Sequence, residues 1–164
     1  MLIEDIVDQF KLAGFKDIIS EHHMVRSNVH YKYCTAEIKY IILQNNEVNK
    51  LSLSNEKYIR VETLETDAAF RGNGYAKFVL KQIFNLADKL NMPVKLSAEP
   101  FSENLYATVD TLQGLVRWYE KQGFAVKQHY IFSVEMTKMP SIQKNKNIQI
   151  YQKLENNSSF VTSA

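Results

Sequence analysis

The chain has a single cysteine, Cys34, in 164 residues. One thiol excludes an internal disulfide and a cysteine-ligated zinc site; it fits a reducing compartment and a small buried apolar role for Cys34. Charge of one sign is also missing. The formal net charge is +2, and no stretch gathers lysine and arginine into a continuous patch, so nucleic acid is not expected as a partner. No apolar run is long enough to span a membrane, and the first residues carry Glu4, Asp5 and Asp8 where a signal peptide would carry positive charge. The expectation is a cytoplasmic protein without membrane attachment. Metal-ligand spacing is absent as well. His22-His23 is the obvious pair to test, but neighbours on a helix do not share a face and no nearby Asp, Cys or third His completes a ligand set, so no metal is expected.

What is present is an ordinary globular composition, with 45% hydrophobic and 23% charged residues. The length suits one core, so residues 1–140 are expected to form a single domain. Residues 141–164 form a polar tail rich in Asn, Lys, Gln and Ser, with one island at Ile148-Gln149-Ile150-Tyr151.

Ile3, Ile6, Val7 and Phe10 recur at helical spacing, with Gly14 available as a C-cap, and a second short helix is expected over residues 15–24. Residues 29–66 turn strand-like. Tyr31, Tyr33, Ile38, Tyr40, Ile41, Ile42 and Leu43 are β-formers, Gln44-Asn45-Asn46-Glu47 reads as a turn, and Val48 to Leu53 as another strand, which together suggest an antiparallel meander. Its last strand, residues 58–66, would place Ile59, Val61 and Thr63 on one face and Arg60, Glu62, Leu64 and Thr66 on the other.

Directly after that strand comes Phe70-Arg71-Gly72-Asn73-Gly74-Tyr75-Ala76. A glycine-rich turn that leaves a strand and opens a helix aims backbone N–H groups and the positive end of the helix dipole at one point. Arg71 adds a fixed cation, and Gly72, Gly74 and Ala76 leave room for a phosphate to reach the backbone. The helix that follows carries a stripe of Tyr75, Val79, Ile83, Leu86 and Leu90 and is stopped by Pro93. Residues 94–98 read as a buried strand, which makes strand, turn, helix and strand a βαβ crossover with a parallel pair at its centre. An irregular stretch, residues 99–110, of a length that usually borders a site, leads to a helix capped by Asp110 or Thr111 and closed at Gly123. Two strands, residues 125–130 and 131–138, are expected to adjoin with hardly a turn, and Pro140 closes the domain.

In these places the sequence resembles a GCN5-related N-acetyltransferase. Arg71-Gly72-Asn73-Gly74-Tyr75-Ala76 is similar to that family's acetyl-CoA turn, Arg/Gln-x-x-Gly-x-Gly/Ala, and Trp118-Tyr119-Glu120-Lys121-Gln122-Gly123-Phe124 to its second signature, aromatic-Tyr-Glu-Lys-x-Gly-Phe. The two motifs stand in the family's order with a helix and a strand between them, and the resemblance covers residues 29–138. It implies an α/β fold of the α+β type: a mixed, mostly antiparallel sheet flanked by helices, with a splayed parallel pair admitting the pantetheine arm of acetyl-CoA. It further implies that Leu64 and Thr66 offer main-chain groups to that arm and that Arg71, Gly72, Asn73, Gly74, Tyr75 and Ala76 hold the pyrophosphate. Glu62 would accept the amine proton, directly or through water, and Tyr119 would protonate the departing thiolate. Acetyl-CoA is the implied co-substrate and an amine on a small molecule or protein the acceptor, with the protein a monomer or homodimer.

Each assignment has a plain structural rival. Glu62 can be a surface glutamate paired with Arg60, and Tyr119 a core tyrosine. Two departures from the family pattern stand out: Leu112 occupies the position of a common cofactor-binding Asn, and the chain opens on a helix where the family begins with a strand and two helices walling the acceptor site. A different class of protein, a non-catalytic acyl-CoA-binding or interaction module, would keep the same turn. A dinucleotide-binding domain fits poorly, because Gly72-Asn73-Gly74 lacks the third glycine at the required spacing.

Overall fold

The computed structural model describes residues 3–21, 24–42, 57–100 and 109–141. The order is α1 (Ile3–Leu12), β1 (Lys16–Glu21), β2 (Met24–Tyr31), β3 (Cys34–Ile42), β4 (Lys57–Thr66), α2 (Tyr75–Leu90), β5 (Val94–Ala98), α3 (Val109–Lys121), β6 (Ala125–His129) and β7 (Val134–Lys138). The strands form one seven-stranded sheet in the order β1-β2-β3-β4-β5-β7-β6. Every neighbouring pair is antiparallel except β4 and β5. That single parallel pair is the crossover expected from the strand, turn and helix order, since a parallel return needs a covering helix and α2 supplies it.

One hydrophobic core joins the inward face of the sheet to all three helices. Ile6 and Phe10 of α1, Val79, Leu80, Ile83 and Leu86 of α2, and Tyr119 of α3 meet Val25, Ala36, Ile38, Tyr40, Ile59, Leu96 and Met136 from the strands. The apolar stripes read from helical spacing are the faces that the helices bury. Gly14 ends α1 at φ 82, Asn91 ends α2 at φ 53, and Gly123 follows α3 at φ 94, all in the left-handed region where a helix is commonly stopped. Ser141 then ties the end of the domain to α2, its amide and hydroxyl donating to the two carboxylate oxygens of Asp88 at 2.8 and 2.9 Å.

The opposite face of the sheet is charged. Arg26 pairs with Glu37 at 3.1 Å, Lys39 with Glu62 at 3.4 Å, and Arg60 with Glu62 at 3.6 Å and Glu135 at 3.3 Å. The meander thus separates a dry face from an ionic one, as the alternation of its sequence requires.

Several expectations change. The second helix expected over residues 15–24 is instead the edge strand β1, with its charged residues exposed. Phe15 closes α1, its amide donating to the Phe10 carbonyl and its ring 5.3 Å from that of Phe10. The following Lys-Asp-Ile-Ile-Ser-Glu has no apolar stripe of helical period, so the open edge of β2 decides its conformation. Lys16, Asp17 and Glu21 discourage further pairing at the new edge. His22 and His23 lie outside the described residues, as do the turn and strand read over residues 44–53, most of the stretch over residues 99–110, and the tail from residue 142. Helix α3 begins at Val109, so Asp110 and Thr111 fall inside it instead of capping it. Strands β6 and β7 are separated by a turn closed by the Tyr130 amide donating to the Ser133 carbonyl, which leaves Tyr130, Ile131 and Phe132 exposed at its tip. Three β-formers in a row read as strand, yet an antiparallel return needs residues to turn on.

The largest correction concerns β4. Its alternation breaks at a bulge: Ile38 pairs with Val61 and Glu37 with Thr63, so Glu62 is the extra residue. Beyond it the faces exchange. Leu64, opposite Ala36, packs against the core, and Thr66 lies opposite the buried Cys34. Leu64 and Thr66 therefore do not share a face with Arg60 and Glu62, because one inserted residue reverses every side chain after it.

Candidate active site

Strands β4 and β5 stay together only through Ile59↔Val94, Arg60↔Lys95 and Val61↔Leu96. Past that point Ser97 and Ala98 pair with β7, while β4 runs on from Thr63 to Thr66 paired with β3 on one side and, among the described residues, with no strand on the other. The bulge at Glu62 marks where the strands part, consistent with the bend that bulges introduce. Glu62 counts as an exposed residue although its side chain retains only 28% of its exposure, so main chain is laid open there.

The gap is a cavity of about 870 Å³. Its walls are β4 from Arg60 to Thr66, Leu96 and Ser97 of β5, and Gly114, Leu115, Trp118 and Tyr119 of α3, and it reaches Arg71 and Ala76 at the turn. Ligand pockets typically run from about 300 to 1,000 Å³. This one has an unpaired strand edge along its length, as an extended, amide-bearing ligand requires.

The turn lies at one end. Gly72 and Gly74 take φ values of 82 and 78, conformations open to glycine at little cost, and a Cβ built on either would meet nothing within 4 Å. The Arg71 Nε donates to the Thr66 carbonyl at 3.2 Å, and the Asn73 side-chain amide to the Phe70 carbonyl at 2.9 Å, so both residues brace the turn on its own backbone. Helix α2 starts at Tyr75 with Gly74 as its N-cap, without a side-chain cap and without an acidic residue in its first turn. Its leading N–H groups are therefore uncovered by any capping side chain. Among the described residues Arg71 has no carboxylate partner.

Tyr119 stands on the α3 wall. It is 7% exposed, edge-on to Trp118 at 5.0 Å and to Phe124 at 5.6 Å. Burial pushes its phenol up to about 12, and the neighbouring Cys34 adds to the shift. The phenol therefore stays protonated at any neutral or mildly alkaline pH. Burial also pushes the Cys34 thiol up, against a smaller opposing hydrogen bond to Thr66, which keeps it an inert core group.

Glu62 is placed in the cavity, but its Oε1 also faces Lys39 and Arg60. Of the residues singled out from sequence, Glu62, Leu64, Thr66, Arg71, Ala76 and Tyr119 line one cavity, and Gly72, Asn73, Gly74 and Tyr75 form the turn beside it. Leu112 is half-buried against the core and contributes no polar group. The sequence reading missed Ser97, Gly114 and Leu115 on the walls. A glycine within α3 was a usable signal, since a helix interior disfavours it by about 1 kcal/mol relative to alanine.

No family model matches the sequence. No curated protein matches it either. Among solved structures, the chain is similar to Arabidopsis thaliana NAA60 in complex with acetyl-CoA, at 11% identity over 83% of this chain and 93% of that one, with a TM-score of 0.49. It is similar to a bacterial toxin at 13% identity over 80% and 72% of the two chains, with a TM-score of 0.49, and to the NatC complex bound to Gag peptide and CoA at 11% identity over 84% and 77%, with a TM-score of 0.45. Likenesses at this level assign neither an activity nor a ligand to this chain. Its own sheet is mixed and mostly antiparallel with a splayed parallel pair, the architecture expected above. Among the described residues no helix is long and apolar enough to cross a membrane.

Proposed function

We propose that the protein is an acetyl-CoA-dependent N-acetyltransferase that transfers the acetyl group directly to an amine-bearing acceptor. The observation that carries this reading is the parting of β4 from β5, which opens one cavity from the anion-seeking turn at Arg71 and Ala76 to the phenol of Tyr119. The pyrophosphate would sit on the turn, and the pantetheine amides would complete the unpaired edge near Leu64 and Thr66, as an added strand does. The thioester carbonyl would then take its polarising hydrogen bond from main-chain N–H groups near Leu64. The amine nitrogen attacks the carbonyl carbon, the C–S bond breaks, and Tyr119 donates to the leaving sulfur. The proton lost by the amine passes by way of Glu62 or water to the leaving sulfur, and free thiol leaves with the amide product.

One observation favours the rival reading of a non-catalytic acyl-CoA-binding module: Lys39 and Arg60 both engage the only carboxylate assigned as base. Calorimetry with acetyl-CoA, followed by thiol release against a panel of amines and peptides, separates the two. Binding with turnover on some amine is the expected result, and binding without turnover across the panel favours the module. For Glu62→Gln, turnover is expected to fall roughly 10²-fold with acetyl-CoA affinity kept. Unchanged turnover would reduce Glu62 to a clamp between Lys39 and Arg60.

A further inference from the structure

A further cation, Lys32, stands near the turn but outside the cavity lining. The tip of the β2–β3 hairpin, Tyr31-Lys32-Tyr33, leans on the turn and on the start of α2. Tyr33 stacks on Phe70 with ring centroids 3.6 Å apart, Tyr31 stacks on Phe78 at 3.8 Å, and Tyr75, the first residue of α2, meets both tyrosines at 6.0 Å. The Lys32 ammonium sits 5.6 Å from the Tyr31 ring centroid and 5.3 Å from that of Tyr75, within the range of cation–π attraction. Among the described residues it has no carboxylate partner. Lys32 also holds φ 54 at this hairpin tip, a conformation more readily adopted by glycine or asparagine. An exposed lysine whose stem is free to wander is here held beside the first residue of α2 by two rings and an uncommon backbone conformation.

Coenzyme A carries phosphate at two separate points, the pyrophosphate and the ribose 3′-phosphate. The turn, Arg71 and the first N–H groups of α2 suit the first of these. Lys32 does not line the cavity. Its ammonium stands outside, 5.3 Å from the ring of Tyr75, the first residue of the helix whose leading N–H groups would meet the pyrophosphate. We infer that Lys32, seated on Tyr31 and Tyr75, binds the ribose 3′-phosphate and selects coenzyme A over its 3′-dephospho form. This rests on the coenzyme A reading above and adds to it a residue that neither motif contains.

The test compares affinities of the intact protein for coenzyme A and 3′-dephospho-coenzyme A by calorimetry at low ionic strength. Wild type is expected to bind coenzyme A about fivefold to tenfold more tightly, the worth of one exposed charge-assisted contact. Lys32→Gln should weaken coenzyme A to the level of the dephospho form while leaving the latter unchanged, and Lys32→Arg should keep most of the preference. Equal wild-type affinities would overturn the assignment and leave the coenzyme A reading standing. A Lys32→Gln variant that loses both ligands equally would also overturn it, placing Lys32 at the pyrophosphate or in the scaffold. Failure of wild type to bind either compound would remove the coenzyme A reading itself, and this inference with it.

Discussion

Replacing Tyr119 by phenylalanine is expected to lower turnover roughly 10²–10³-fold while leaving acetyl-CoA affinity within about twofold, the usual cost of losing one preorganised donor at a developing charge. The ring is held by Trp118 and Phe124, and phenylalanine keeps both contacts, so the fold is spared. A phenol pushed up to about 12 is a weak acid beside a thiol, whose ordinary value is about 8.5. Full proton transfer to a free thiolate would run uphill by roughly three units. The phenol's advantage is therefore a hydrogen bond that strengthens as charge builds on sulfur, with the proton balance closed by the ammonium formed at attack. The sign with pH follows. The folded value lies above the unfolded one of about 10, so any stability Tyr119 lends is complete below pH 10 and is lost as pH rises toward 12. No step in the neutral pH–rate profile should trace to Tyr119. Thiol release by Tyr119→Phe at the wild-type rate would return it to the core as packing.

The second large effect concerns the turn. Gly74→Val is expected to weaken acetyl-CoA roughly tenfold to a hundredfold, equivalent to about 1.4–2.8 kcal/mol. Gly74 holds φ 78, where a β-branched residue is a true outlier, and it is the N-cap of a helix whose first N–H groups no side chain covers. Valine both strains that conformation and puts methyl groups where an anion must approach the backbone. Gly14→Val supplies the control. Gly14 has nearly the same φ, 82, with nothing within 4 Å of a Cβ, but it ends α1 and is no part of the turn. Both variants should lose comparable stability, about 1–2 kcal/mol by denaturant midpoint, while only Gly74→Val loses affinity. Equal affinities in the two variants would mean that the turn holds no phosphate.

Much of this geometry was legible in the residues. The stripes of α1, α2 and α3, the stop at Pro93, the left-handed glycines and the βαβ crossover follow from periodicity and from backbone preferences that act within a few residues. The motif around Gly72 and Gly74 was legible for the same reason, because a turn that frees N–H groups needs small residues at fixed positions. Strand β1 was not legible. Its Ile18-Ile19 pair suits either state, and only the open edge of β2, met in three dimensions, makes it a strand.

By itself the sequence determined the element types other than β1, the parallel crossover and the chemical character of the turn, since each depends on local conformational preference or on a short repeat. Only the tertiary structure decided three further matters. It placed the bulge at Glu62, which exchanged the faces of Leu64 and Thr66, because register belongs to a pair of strands and not to one. It added Lys39 to the Arg60 pairing that the sequence offered for Glu62, because partners on neighbouring strands are set by that register. And it brought Lys32 beside Tyr75 at the start of α2, because a hairpin tip and a helix start far apart in the chain meet only when the sheet closes beneath them.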